Sequence, residues 1–297
     1  MSTTKEKTLI WVYPTHKWVT DCKQTFVYGW AKPDSKLFIK CNGSEKSVKT
    51  FPNGNFAQVT KLPYKENIIQ LVQVTGKNKK TISRKIIVNE KKMKRKNTQF
   101  IQEQEKKTPQ KKSNSFRIVI DPGHGGKEHG THSSKGITEK HFNLQIAQLL
   151  YKKLNKNFKV YLTRNKDKFV SLKTRVEVAK KNQCDLLISI HHNALPDNEN
   201  PLHHKGVGIY YTHSFAKPFA NHLLESISRE TKLNKYGIFK RDFALTKPSF
   251  CYAVLIECGF LIHPEESEYI TQKKTQEKIV SGIVRGINLF VNNAKPL

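Results

Sequence analysis

The chain has 297 residues, enough for two domains, and 37 % of them are hydrophobic, enough to bury at least one core. Lys and Arg number 53 against 24 Asp and Glu, a formal charge of +29; this balance fits attraction to nucleic acid, teichoic acid or an anionic membrane surface, and equally a lysine-rich bias spread over solvated faces. No stretch approaches the roughly 18 consecutive apolar residues of a membrane helix, the start "MSTTKEKTLIWVYPTHKW" shows no apolar signal core, and five cysteines without C-x-x-C spacing argue against a disulfide scaffold.

Residues 1–90 read as a small all-β sandwich of immunoglobulin-like type. Short β-rich runs such as "TFVYGW", "KLFIKC", "NIIQLVQV" and "RKIIV" are punctuated by Asn42-Gly43 and Asn53-Gly54, dipeptides that tolerate the positive φ of type I′ hairpin turns. Cys22 and Cys41 are close enough in sequence to pair, whereas Cys184 and Cys258, in apolar runs, are expected to be reduced core residues. Residues 91–115 carry charge and amide side chains with too little apolar content to fold alone, so they are expected to form a basic linker or an arm for a polyanion.

From 116 to 297 the pattern changes to alternating strands and helices. "RIVI", "KVYLT", "LLISI", "VGIYY" and "AVLI" are strand-like, and helical spacing joins Phe142, Ile146, Leu149 and Leu150, then Ala220, Leu223, Leu224 and Ile227, then Ile279, Val280, Ile283, Ile287 and Phe290 over about Thr275–Asn292. This predicts an α/β domain with a mixed, mostly parallel sheet flanked by helices.

Three groups with chemical potential directly follow strand-like runs: His124 in "DPGHGG", His191 in "SIHHNA" and Glu257 in "VLIECGF". In open α/β sheets the carboxyl ends of strands form the ligand-binding edge, so residues remote in sequence converge there. Alone, "DPGHGG" is as easily an ordinary glycine turn. Glu139, after the candidate N-cap Thr138, reads as a complement to the helix dipole unless that helix start faces the strand ends. On an extended chain His191 and His192 point to opposite faces, so only one of them can meet an ion shared with the other groups. Two imidazoles, one carboxylate and an open position are the donor set of catalytic Zn²⁺, and a carboxylate beside it supplies acid/base chemistry. The ordinary alternative for Glu257 is a buried ion pair.

The region from Phe116 onward resembles the zinc-dependent N-acetylmuramoyl-L-alanine amidases of the Amidase_3 type, the AmiC-like cell-wall hydrolases. The pieces that carry the resemblance are "IVIDPGHGG", "GITEKHFNLQIA", "YLTRNKDKFVSLKTRVEVA", "DLLISIHHNA", "KGVGIYY" and "VLIECGFLIHPEE", in family order. The resemblance implies that His124, Glu139 and His191 bind Zn²⁺, that Glu257 is the catalytic carboxylate, and that Arg164 and Arg175 are structural. It also implies cleavage of the amide between N-acetylmuramic acid and L-alanine of peptidoglycan, hence a place in the cell envelope, although no signal peptide is visible. An anionic wall polymer or membrane surface is a candidate partner of the linker, and no specific nucleic acid is expected.

This chain departs from the family pattern at His192, where a small residue is usual, at His263, often asparagine, and at Tyr236-Gly237, often Arg-Gly. The long regulatory helix that autoinhibited members insert after the "KGVGIYY" strand has no room before "THSFAKPFANHLL", so the site is expected to be unblocked. Two other readings remain at this level: a catalytically dead wall- or polyanion-binding protein, and a zinc peptidase acting on free peptides.

Overall fold

A computed structural model describes residues 9–89 and 116–292; the expected basic linker lies outside the described residues. The N-terminal region is built from β1 (Leu9–Tyr13), β2 (Trp18–Thr20), β3 (Gln24–Ala31), β4 (Lys36–Cys41), β5 (Ser44–Val48), β6 (Asn55–Lys61), β7 (Glu66–Thr75) and β8 (Asn78–Val88). They form one sheet of order β1-β3-β6 and another of order β2-β8-β7-β4-β5. Alternation drives this packing: in "KLFIKC" Leu37, Ile39 and Cys41 are buried while their neighbours are not. These residues, with Ile69, Leu71 and Ile86, meet Leu9, Trp11, Val27 and Phe56 of the other sheet in one core.

Asn42 and Gly43 both have positive φ (46° and 86°) between the paired residues Cys41 and Ser44, as a type I′ hairpin requires. Asn53-Gly54 is different. It turns the chain into β6, with the Phe51 N–H donating to the Asn55 carbonyl at 2.8 Å, and the preceding strand β5 belongs to the opposite sheet. All five cysteines are free thiols; Cys41, Cys184, Cys251 and Cys258 are buried and Cys22 is partly exposed, so Cys22 and Cys41 form no bridge.

The second region carries β9 (Arg117–Pro122), β10 (Lys159–Leu162), β11 (Leu186–Asn193), β12 (Val207–Tyr211), β13 (Lys235–Lys240) and β14 (Tyr252–Phe260) in one six-stranded sheet of order β10-β9-β11-β14-β12-β13. All neighbours are parallel except β12 and β14. One face packs on α1 (Glu139–Leu154), α3 (Lys217–Thr231) and α5 (Lys273–Val291), where Ile118, Ile188 and Ile256 meet Ile146, Leu223 and Ile283. The other face carries α2 (Leu172–Lys181), where Ala179 meets Val119, Leu187 and Ala253.

This is the expected mixed α/β layout, with additions. "KYGIFK", which is not among the strand-like runs read in the sequence, forms the edge strand β13, and "PEESEYIT" forms α4 (Pro264–Thr271). Thr138 occupies the N-cap of α1 with extended backbone, but its hydroxyl makes no capping bond. Between β12 and α3 there is only a short 3₁₀ turn, Ser214–Ala216, and no inserted helix. Because β9, β11 and β14 are adjacent and parallel, their carboxyl ends share one edge.

Candidate metal centre

His124 leaves β9 with φ of 59°, a left-handed conformation that costs a non-glycine residue on the order of 1–3 kcal/mol and persists only where its surroundings hold it. Here two buried arginines do so. Arg175 donates to the His124 carbonyl at 2.7 Å, and Arg164 to the Gly123 carbonyl at 2.9 Å. Both side chains also grip the Pro122 carbonyl, in keeping with the structural role expected of them. Asp121 anchors Arg175 at 2.7 Å and accepts from Thr163 and Ser189. Burial alone would raise the Asp121 pKa, but Arg175 and the two hydroxyls outweigh it and hold the carboxyl below its usual value.

The sharp turn brings His124, Glu139 and His191 together, each offering a ligand atom within 4.8 Å of the others. Glu139 is the hinge of the group. Its Oε2 lies 3.2 Å from His124 Nε2, and its Oε1 lies 3.1 Å from His191 Nδ1. The carboxylate is further fixed by N–H donors: Thr131 to Oε2 at 3.0 Å, His192 to Oε1 at 3.1 Å, and the Asn143 amide to Oε1 at 3.1 Å. Burial would push the Glu139 pKa up, yet the two imidazoles outweigh it and place the carboxyl well below the usual range. Glu139 is 4 % exposed at its side chain, whereas His124 and His191 are 29 % and 19 % exposed, so an ion is approached from the imidazole side.

Two glycines make room for this group. A Cβ at Gly123 would stand 2.2 Å from the His191 ring, and one at Gly130, where φ is +66°, would stand 2.3 Å from Glu139 Oε2.

The two histidines of "SIHHNA" divide as an extended strand demands. His191 faces Glu139, whereas His192 is buried with Nδ1 at 2.8 Å from Asn143 Oδ1. The Asn143 amide already donates to Glu139 and to the Gly123 carbonyl, so its oxygen accepts and His192 Nδ1 carries the proton. Burial pushes the His192 pKa down to about 4, and its Nε2 finds no hydrogen-bond partner among the described residues. Asn143 was not singled out in the sequence, although it lies four residues beyond Glu139 and therefore on the same helix face. His263 serves as the N-cap of α4, accepting from the Glu265 and Glu266 amides at 3.3 and 3.4 Å, an acceptor task that asparagine shares.

Glu257 sits on β14 as the register partner of His191. Among the described residues it has no ion pair, and its buried Oε2 has no hydrogen-bond partner. The ordinary alternative of a salt-bridged glutamate is therefore not what the fold builds. Burial, and secondarily the charge of Glu139, push its pKa well above the usual carboxylate value. A carboxyl so perturbed beside a candidate ligand group is a functional-site candidate. The donor set of two imidazoles and a carboxylate, with no thiolate and no fourth side chain in the group among the described residues, fits a divalent ion that keeps an open position.

Fold and site together define an α/β protein with two imidazoles and a carboxylate, arranged so that they could hold a metal ion, at the carboxyl edge of its sheet. Residues 118–289 match the family described as N-acetylmuramoyl-L-alanine amidase, and the chain belongs to that family. It is 31 % identical over 179 residues to the probable cell wall amidase LytH of Staphylococcus epidermidis, covering 59 % of this chain and 58 % of that one. It is 27 % identical to the amidase AmiC of Escherichia coli, covering 58 % of this chain and 52 % of the other. The chain thus spans little more than half the length of these relatives.

Among solved structures, the N-acetylmuramoyl-L-alanine amidase of Clostridium difficile 630 is 34 % identical, with a TM-score of 0.58 over 62 % of this chain and 100 % of that one. The catalytic domain of CwlV, from Paenibacillus polymyxa, is 32 % identical, with a TM-score of 0.56 over 60 % of this chain and 99 % of the other.

Proposed function

We propose that this protein is a zinc-dependent N-acetylmuramoyl-L-alanine amidase, a peptidoglycan hydrolase that cleaves the amide joining the lactyl group of N-acetylmuramic acid to L-alanine of the stem peptide. The observation that carries the reading is the pairing of His191, in the His124–Glu139–His191 group, with Glu257, whose buried Oε2 has no hydrogen-bond partner among the described residues. Membership in the amidase family supports the choice of bond.

His124, Glu139 and His191 hold the ion, which when bound supplies positive charge that polarises a carbonyl and acidifies water. Glu257 takes the proton released by the attacking water and passes it to the departing alanine nitrogen. The amide bond breaks as the new carboxylate forms, leaving a bare lactyl group and a free stem peptide. An orphan carboxyl suits this task because no ion pair must be broken before it accepts a proton. The Glu139 side chain, held by three N–H donors, stays unprotonated and serves as ligand rather than base. The wall substrate places the working protein in the cell envelope, and no described helix is long and apolar enough to cross a membrane.

The test combines metal analysis with digestion of purified sacculi, without any activator, by the intact protein and by Glu257→Gln. Bound zinc in both proteins, with new L-alanine amino termini released only by the unmodified one, is the expected result. Cleavage of free stem peptide but not of muramyl peptide would replace the reading with a peptidase, and unchanged cleavage by Glu257→Gln would remove Glu257 from the mechanism.

A further inference from the structure

The loops that leave β9, β11 and β14 at the metal-bearing edge are each tied to the N-terminal region. In the connection from β9 to α1, the carbonyl of His132 accepts from the Tyr28 hydroxyl at 2.6 Å. After β11, the Asp197 carboxylate accepts from the Tyr13 hydroxyl and, at 3.1 Å, from the Trp18 indole N–H. After β14, the Pro264 carbonyl accepts from the Asn55 amide at 2.7 Å. Phe26, Tyr28 and Ala57 share a buried cluster with Phe260 and Ile262, so the contact has an apolar centre as well as polar ties.

One of these ties reaches the ligands. His132 follows Thr131, whose N–H donates to Glu139 Oε2 at 3.0 Å and whose carbonyl accepts the Glu139 N–H at 2.8 Å. His132 itself bridges to Thr138, the residue before Glu139. Tyr28 is only 2 % exposed, so its ring and hydroxyl are held in place by packing where they meet the His132 carbonyl. Tyr28 also hydrogen-bonds the Thr131 side chain, so a continuous path runs from the β3 strand to the carboxylate that both imidazoles face. Groups that orient a metal ligand in this way typically change ion affinity when removed.

We propose that Tyr28 is a positioning residue of the metal centre, so that the N-terminal β region is a working part of the site rather than a detachable accessory. The proposal rests on the reading of His124, Glu139 and His191 as the ligands of the ion. Tyr28 fixes the 131–132 segment, that segment fixes the Glu139 carboxylate, and the carboxylate sets the distance between the two imidazoles.

The test compares the full-length protein with Tyr28→Phe, which keeps the ring and removes only the hydroxyl, and with Asn55→Ala, which cuts a tie that does not lead to Glu139. Zinc affinity is measured by chelator competition, and amide exchange over 128–133 and 252–260 by mass spectrometry. Tyr28→Phe is expected to weaken zinc binding about 10-fold and to speed exchange in 128–133 only, while Asn55→Ala leaves zinc affinity unchanged. Equal zinc affinity in Tyr28→Phe, or an equal loss in Asn55→Ala, would overturn the proposal. If the unmodified protein takes up no zinc, the ligand reading fails, and the exchange data alone judge the brace: faster exchange in 128–133 upholds it and unchanged exchange defeats it.

Discussion

His191 and Glu257 are direct register partners on the adjacent parallel strands β11 and β14, so a ligand candidate and the orphan carboxyl are held one strand spacing apart by the sheet itself. Glu257→Gln preserves the size of the side chain and removes its ability to take a proton. Turnover on muramyl peptide is expected to fall about 10²- to 10⁴-fold, the usual contribution of a general base, with KM and zinc content little changed. Steady-state kinetics beside metal analysis check this. A large rise in KM at constant kcat would assign Glu257 to binding instead.

Gly123 offers a separate test of the ligand geometry. Its φ is not in the left-handed region, so alanine meets no backbone strain there, yet a Cβ would lie 2.2 Å from the His191 ring. Gly123→Ala is expected to displace that ring and weaken zinc binding at least about 10-fold, while far-ultraviolet circular dichroism stays unchanged. Zinc affinity equal to that of the unmodified protein would mean that His191 is not a ligand.

Removing the metal should cost stability in proportion to how tightly the folded state holds it. At free zinc about 100 times Kd, the ion stabilises the fold by about 2.7 kcal/mol. Thermal unfolding with and without chelator is expected to show a shift in the intact protein that is absent from His124→Ala.

The Arg175–Asp121 pair is buried, with Arg175 2 % and Asp121 1 % exposed. Arg175→Ala strands a buried carboxylate and is expected to cost about 3–5 kcal/mol, read from urea denaturation. Arg175→Lys should recover only part of this, because Arg175 also serves the Val170, Pro122 and His124 carbonyls, which one ammonium cannot span.

The same pair sets a pH dependence. Since the folded-state Asp121 pKa is depressed, its contribution to stability is complete above the unfolded value of about 3.9 and is lost as pH falls through the lower folded value. Asp121→Asn should therefore be less stable than the unmodified protein at neutral pH, and the gap should narrow below about pH 4. A gap of constant size across denaturation curves from pH 7 to pH 3 would refute this account of Asp121.

The strand ends carrying His124, His191 and Glu257 were legible because each follows a short apolar run with β-branched residues, the pattern of a buried strand. Glu139 was ambiguous, since a glutamate in a first helical turn is commonplace, and its place depended on which way α1 faces. Alternation along an extended chain separates His191 from His192 but does not choose between them; the resemblance carried by "DLLISIHHNA" does. "KYGIFK" was opaque because its ends are lysines and a glycine interrupts it; β13 exists because Ile238 adds to the core already built by β12. Nor could any pattern join Tyr28 to His132, 104 residues away, because the packing of one region on another leaves no local periodicity.

The reversed direction of β12 has a consequence for what the protein admits. β11 ends and β12 begins on the same side of the sheet, so the stretch 194–206 departs and returns beside His191 and Glu257. Lengthening or shortening that excursion at a point clear of Asp197, which Tyr13 and Trp18 hold, would reshape the surface beside these two residues while leaving the strands beneath it in place. If the proposed activity holds, its selectivity can be re-engineered in this stretch without rebuilding the strands that carry His191 and Glu257.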